Sequence, residues 1–234
     1  MIKRKQFLLF LILLSFLIMG NSQAEKGGLK LLHFPSNAPI KNTMQLTSEL
    51  ELNHIVVLPK GFFDENEAGE IISRIDSLPT SLLKKVRNQG IIVKLFTGKL
   101  TDNPTARHLS GKVPRGYEQS TTWDDIPGVG GGKTVLIKIG SSSMGNGHGS
   151  VNLELHELAH SIDRHVFHEI RNEVAFLRIW NEEKTQLFPD NHYLLTYPEE
   201  YLAEAFAYYY KSGSYRNELR VKAPLTYEYI KNIR

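Results

Sequence analysis

The 234 residues include no cysteine. Disulfides are thereby excluded, and stability has to come from core packing and from any metal ion the fold holds. No apolar run reaches the roughly 20 residues that span a bilayer. The longest, Phe7–Met19, has 13, is preceded by Lys3, Arg4 and Lys5, and leads to Ser22-Gln23-Ala24, with small residues at −3 and −1 of a cleavage site. That is the pattern of a secretory signal peptide, and a secreted, extracellular protein is expected, with no membrane anchor once the signal is cleaved. With no cysteine behind the run, lipid attachment is excluded too. Charge of one sign is also scarce. The formal +3 of the whole chain comes from the three basic residues of the leader, and residues 25–234 balance 25 basic against 25 acidic side chains. No long basic stripe remains, so composition argues against nucleic acid as a partner. No internal repeat or low-complexity tract is present.

What is there reads as one unit of ordinary domain size behind the signal at 1–24. Residues 25–51 show no clear periodicity and are expected to be a leader arm. Residues 52–234 form the folded domain, with a sheet lobe over 52–149 and a mainly helical lobe over 150–234. His54-Ile55-Val56-Val57-Leu58, closed by Pro59, suits a buried strand. Asp64 with Glu67 is a D-x-x-E capping pair, opening a helix on which Ala68, Ile71, Ile72, Ile75 and Leu78 recur at helical spacing. A second helix, Ser81 to Asn88, leads to a strand over 91–96, and 134–139 reads as a strand near a sheet edge. Turn formers crowd 98–132. Gly128–Thr134 fails as a phosphate loop, because Pro127 stands where glycine is needed and a strand follows. A flexible hairpin beside a site is the better account, against a plain surface turn.

The chemistry is concentrated in His156-Glu157-Leu158-Ala159-His160, an H-E-x-x-H sequence inside a predicted helix over 151–167 that Ser150 would cap. Histidines four apart are separated by about 400° of rotation and roughly 6 Å of rise, so both imidazoles leave one face and can converge on one ion. Glu157, one step round, then reaches a metal-bound water whose pKa the ion lowers, takes its proton and delivers it to the leaving amine. The ordinary alternative is a pair of histidines lining an amphipathic helix. A hydrolytic zinc also needs a third protein ligand. His165 and His168 lie too far along the helix axis, whereas spacing leaves His148 and His192 open. The i, i+4 pair Glu200 and Glu204, behind Pro198 at a helix start, offers one carboxylate for the metal and another to orient a histidine. Spacing alone favours the plainer account, solvent-facing glutamates near a helix N-terminus. Activity should fall as pH drops through the histidine range, since a protonated imidazole cannot ligate.

Taken together, Asn152–His160, Asn191–Glu200 and Ala203–Tyr210, with Gly98–Asp102, Val113-Pro114 and Thr122–Gly128 upstream, resemble the secreted Pro-Pro endopeptidases, relatives of the anthrax lethal factor catalytic domain. The resemblance runs from about Leu52 onward. It implies an α+β, zincin-like fold and one Zn2+ per chain, held by His156, His160 and Glu200, with Glu157 as general base. It implies Tyr193 as donor to the developing oxyanion, Glu204 and, more weakly, Asp163 behind the ligands, and proline-rich segments of bacterial surface proteins as partners. Arg115, Tyr117, Trp123 and Glu199 fall in the region matching the substrate cleft, where aromatic rings make platforms for prolines and Arg115 can pair with Glu199. For Trp123 the ordinary alternative is a core anchor. Tyr117 and Arg115 stand where close relatives have tryptophan and lysine, and the 128–134 hairpin is one residue longer. A monomer is expected. The rival readings are a zinc protease of the same fold with another bond preference and an inactive binding module.

Overall fold

The chain between Gly28 and Ser48, expected to be a leader arm, is built into the fold. In the computed structural model, which describes residues 27–233, β1 (Gly28–Lys30) and α1 (Pro39–Thr43) bring Leu31 and Ile40 to full burial. Asp76 accepts from the backbone N–H groups of Thr47 (2.7 Å) and Ser48 (2.8 Å), and Glu65 accepts from that of Ile40 (2.8 Å). These pieces are too short for any periodicity to show, which is why the sequence reads as irregular. Among the described residues the folded unit therefore already includes the chain some 25 residues before the expected boundary at 52. The expected signal peptide lies outside the described residues.

Next come α2 (Glu49–Ile55), β2 (Val56–Pro59), α3 (Glu65–Asp76), α4 (Thr80–Asn88) and β3 (Ile92–Phe96). The run predicted as a strand over 54–58 is divided. His54 Nδ1 bonds Leu50 O at 2.8 Å, and Leu52 and Ile55 bury one helical face, so the strand begins only at Val56. Asp64 caps α3 as its sequence implies, accepting from Asn66 N (2.9 Å) and Glu67 N (3.1 Å). After a long loop follow β4 (Gly128–Val129) and β5 (Thr134–Lys138).

The five strands are ordered β1-β2-β3-β5-β4. β2, β3 and β5 run parallel, while β1 and β4 add antiparallel at the two edges. The sheet is thus mixed, as expected, but β5 is internal. The edge is the two-residue β4, hidden in sequence by the glycines around it. The helical half comprises α5 (Leu153–His165), α6 (Val174–Leu187), α7 (His192–Thr196), α8 (Pro198–Lys211), α9 (Gly213–Lys222) and α10 (Pro224–Asn232). One apolar core is continuous from sheet to helices, running from Leu31 and Ile71 through Val93 and Ile137 to Leu155, Tyr201 and Ile230. No helix among the described residues is long and apolar enough to cross a membrane.

Candidate active site

Helix α5 starts later than predicted. Ser143 and Asn152 form an isolated antiparallel bridge, which keeps the chain extended through 152, and Asn152 rather than Ser150 caps the helix, its Oδ1 accepting from Leu155 N at 3.0 Å. The helix ends at His165, and His168 and Glu169 turn the chain away through left-handed φ values of 57° and 67°. Between these ends His156, Glu157 and His160 face a cleft of about 870 Å³, while Leu155, Leu158, Ala159 and Ile162 face the core. Each of the three cleft-facing residues is partly buried. The edge strand β4 lines the same cleft through Gly128 and Val129.

Packing of α8 along α5 supplies the remaining donors. Pro198 begins α8 where its missing N–H is not needed, and the i, i+4 spacing sends Glu200 and Glu204 to one face. Neither is a solvent-facing helix-start residue. Glu204, 3 % exposed, accepts from Val151 N (2.8 Å) and pairs with His156 Nδ1 (2.9 Å), which turns the imidazole's Nε2 towards the site. His156 Nε2 and His160 Nε2 lie 3.2 Å apart, and each is 3.3 Å from Glu200 Oε2. A tetrahedral ion with ligands at roughly 2.0–2.1 Å has ligand–ligand edges of about 3.3–3.4 Å, so the triangle and its N, N, O donors fit such an ion. His156, His160 and Glu200 could therefore hold a metal. Burial opposes a charge on His156, but the Glu200 and Glu204 carboxylates outweigh that and raise its pKa to about 10. Burial likewise opposes charge on Glu200, and hydrogen bonds from His156 and His160 hold it well below the usual carboxylate range.

The second oxygen of Glu200 ties the site to the cleft wall. Tyr193, at the start of α7, donates through its hydroxyl to Glu200 Oε1 at 3.0 Å. Burial and the neighbouring Glu200 charge push the phenol up to about 12, so it stays protonated and able to donate at neutral pH. Arg115 reaches across to Glu199 Oε1 (2.8 Å) and Glu200 Oε1 (3.0 Å), and its guanidinium lies 3.8 Å from the Tyr197 ring centroid. The expected Arg115–Glu199 pair is present. Tyr117, 42 % exposed, stands on the rim, its pKa raised by burial and by the Glu157 and Glu200 charges. Trp123 lines the cleft and also packs on the small cluster of Phe96, Leu100, Ala106 and Leu136.

Residues 42–233 match the family model "Anthrax toxin lethal factor, N- and C-terminal domain". The chain belongs to this family. Its similar relatives include a Pro-Pro endopeptidase of Clostridioides difficile (strain 630), 40% identical over 200 residues that make up 85% of this chain and 90% of the relative. A Pro-Pro endopeptidase of Paenibacillus alvei is 40% identical over 180 residues, covering 76% of this chain and 82% of that one. Among solved structures, that of the Pro-Pro endopeptidase PPEP-2 from Paenibacillus alvei superposes with a TM-score of 0.74 at 40% identity, over 77% of this chain and 98% of the other. This member of the lethal factor family is an endopeptidase.

Several features of the lethal factor family member depart from the sequence expectations. Asp163 bonds Arg171, Oδ2 to Nη1 at 2.5 Å, and fastens the segment after α5. The 128–134 hairpin is seated on the helix rather than free: Gly131 N donates to Ser161 Oγ (3.0 Å), and a Cβ on Gly130 would lie 1.9 Å from Glu157 O. Only glycine allows that approach. Asp124 was not singled out, yet it organises the 101–124 loop by accepting from Thr101 Oγ1 (2.5 Å), Ser110 Oγ (3.0 Å), Gly111 N (2.7 Å) and Thr122 Oγ1 (3.2 Å). Those bonds, Thr101's foremost, hold its pKa well below the usual carboxylate range. A lone aspartate among turn formers gives no sequence signal of four partners. His148 is partly buried beside the cleft, its Nε2 on Ser141 O at 2.8 Å, and takes no part in the metal group.

Proposed function

We propose that this enzyme is a secreted zinc endopeptidase that hydrolyses Pro-Pro bonds in extracellular proteins. The observation carrying this reading is the meeting of His156, His160 and Glu200 in one cleft with Glu157 and Tyr193, in a chain 40% identical to proteins named Pro-Pro endopeptidase. A zinc ion bound by the three side chains would supply Lewis acidity and an acidified water. Glu157 takes a proton from the attacking water as its oxygen bonds the scissile carbonyl carbon. The same carboxyl returns the proton to the departing proline nitrogen as the C–N bond breaks. Tyr193 donates its hydroxyl hydrogen to the carbonyl oxygen as negative charge develops there, an interaction that strengthens in the transition state. Glu204 keeps His156 in one tautomer throughout.

Specificity has to come from shape, because proline offers no N–H and a Pro-Pro substrate pairs poorly with an edge strand such as β4. Tyr117 and Trp123 give aromatic surface for the rings, and the Arg115–Glu199 pair narrows the cleft beside them. Export rests on the pattern at residues 1–24, and N-terminal sequencing of protein recovered from the medium should begin at Glu25.

The deciding test is mass spectrometry of products from peptides with a central Pro-Pro, run beside matched Pro-Ala and Ala-Pro peptides. Cleavage between the prolines alone is expected. Equal cleavage of the controls would replace this reading with a protease of other bond preference. No cleavage by zinc-loaded protein would replace it with a binding module.

A further inference from the structure

Gly116 lies between Arg115 and Tyr117 on the cleft rim, with φ of +84°. It is not a free turn residue. A Cβ there would lie 2.7 Å from Cε2 and 2.9 Å from Cδ2 of Tyr193, closer than real Cβ atoms approach carbon. The bare Cα of the rim therefore rests on the edge of the phenol ring, whose hydroxyl is held on Glu200 Oε1 at 3.0 Å and which meets Tyr197 at 4.9 Å between centroids. The rim itself is fixed from behind by the Asp124 hydrogen bonds, and from the front by Arg115 on Glu199. With the rim tethered at both ends and the ring packed on Tyr197, an added methyl group has to push one of them.

We propose that Gly116 is a positioning residue for Tyr193: its missing side chain lets the rim set the phenol where its hydroxyl meets the reacting carbonyl. This rests on the reading of Tyr193 as the oxyanion donor. A side chain at 116 would displace the ring by a good part of an ångström, enough to weaken a donor whose effect depends on placement. The added Cβ meets the ring and none of the metal ligands on α5 and α8, and Glu200 Oε1 keeps its pairing with Arg115 when the phenol moves, so metal binding is retained. Rate, rather than substrate affinity, carries the loss.

The experiment compares kcat and KM on a Pro-Pro peptide for the full secreted protein and for G116A, Y193F, the double variant G116A/Y193F and G140A. Gly140, just after β5 and outside the cleft lining, is the control for backbone strain, because it has φ of +85° but nothing within 4 Å of an added Cβ. G116A should lower kcat about 10- to 100-fold, leave KM within about threefold and keep zinc stoichiometry, while G140A stays near wild type. In the Y193F background, where the hydroxyl is already gone, adding G116A should change kcat by less than about twofold. If G116A matches G140A, or if its full loss persists on top of Y193F, Gly116 does not act through Tyr193. Should circular dichroism show G116A unfolded, G116N takes its place, since asparagine tolerates positive φ better than alanine while still placing a Cβ against the ring. A crystal structure of either variant should show the Tyr193–Glu200 contact broken, and an intact 3.0 Å contact overturns the inference. A Y193F enzyme as fast as wild type would instead overturn the oxyanion reading beneath it.

Discussion

At the scale of single residues, two carboxylates in the site have different tasks that separate variants should resolve. Glu157 faces the cleft from α5 but is not among the three groups that could hold a metal. Glu157→Gln should therefore keep its zinc, read by plasma mass spectrometry, while kcat falls by about 10²- to 10⁴-fold; substantial remaining turnover would remove it as the base. Glu204 has the opposite profile. Being an acceptor-only group, it serves both Val151 N and His156 Nδ1, and an amide in its place presents an N–H to one of them. Glu204→Gln should weaken zinc binding roughly 10- to 100-fold in competition with a chromophoric chelator. Unchanged affinity would mean that His156 is oriented by something else.

At the scale of elements, the 101–124 loop is the part most dependent on one side chain. Asp124 accepts from four donors there, and an asparagine can satisfy fewer of them. Asp124→Asn should raise KM for the Pro-Pro peptide roughly 3- to 10-fold by loosening the rim that carries Arg115, Tyr117 and Trp123. The sign of its pH dependence follows from its depressed pKa. Stabilisation by the carboxylate is fully present above the unfolded value of 3.8 and is lost as pH falls through it towards the lower folded value. The melting-temperature gap between wild type and Asp124→Asn should hence be constant near neutrality and close in acid. A gap that widens in acid would contradict the assignment. Asp64 on α3 shows the contrasting case, a cap legible from sequence because both partners lie within three residues.

At the scale of the whole molecule, the segment before residue 52 is a structural component. Leu31 and Ile40 are fully buried, and β1 closes one edge of the sheet. Each such side chain contributes about 1.5–3 kcal/mol on burial, a large share of the roughly 5–15 kcal/mol that keeps a domain folded. A chain of residues 52–234 should lose cooperative unfolding in a thermal melt, whereas 27–234 should keep it; equal melts would restore the leader-arm description.

What the sequence determined by itself are the features whose partners lie within a few residues or whose spacing is a helical repeat. The H-E-x-x-H face, the Asp64 cap, the Glu200–Glu204 pair and the order β2, α3, α4, β3 are of this kind, because one turn of helix or one pleat fixes where those side chains point. Resemblance, not spacing, singled out Glu200 and Tyr193. Tertiary structure alone decided that Glu200 and Glu204 both reach His156 from α8, that Asp163 bonds Arg171, that β4 rather than β5 is the sheet edge, and that Gly116 and Gly130 press on Tyr193 and on the backbone of Glu157. The glutamate–histidine and Gly116–Tyr193 contacts join residues dozens of positions apart in the chain, and they exist only once α8 has packed on α5 and the loop has closed over both.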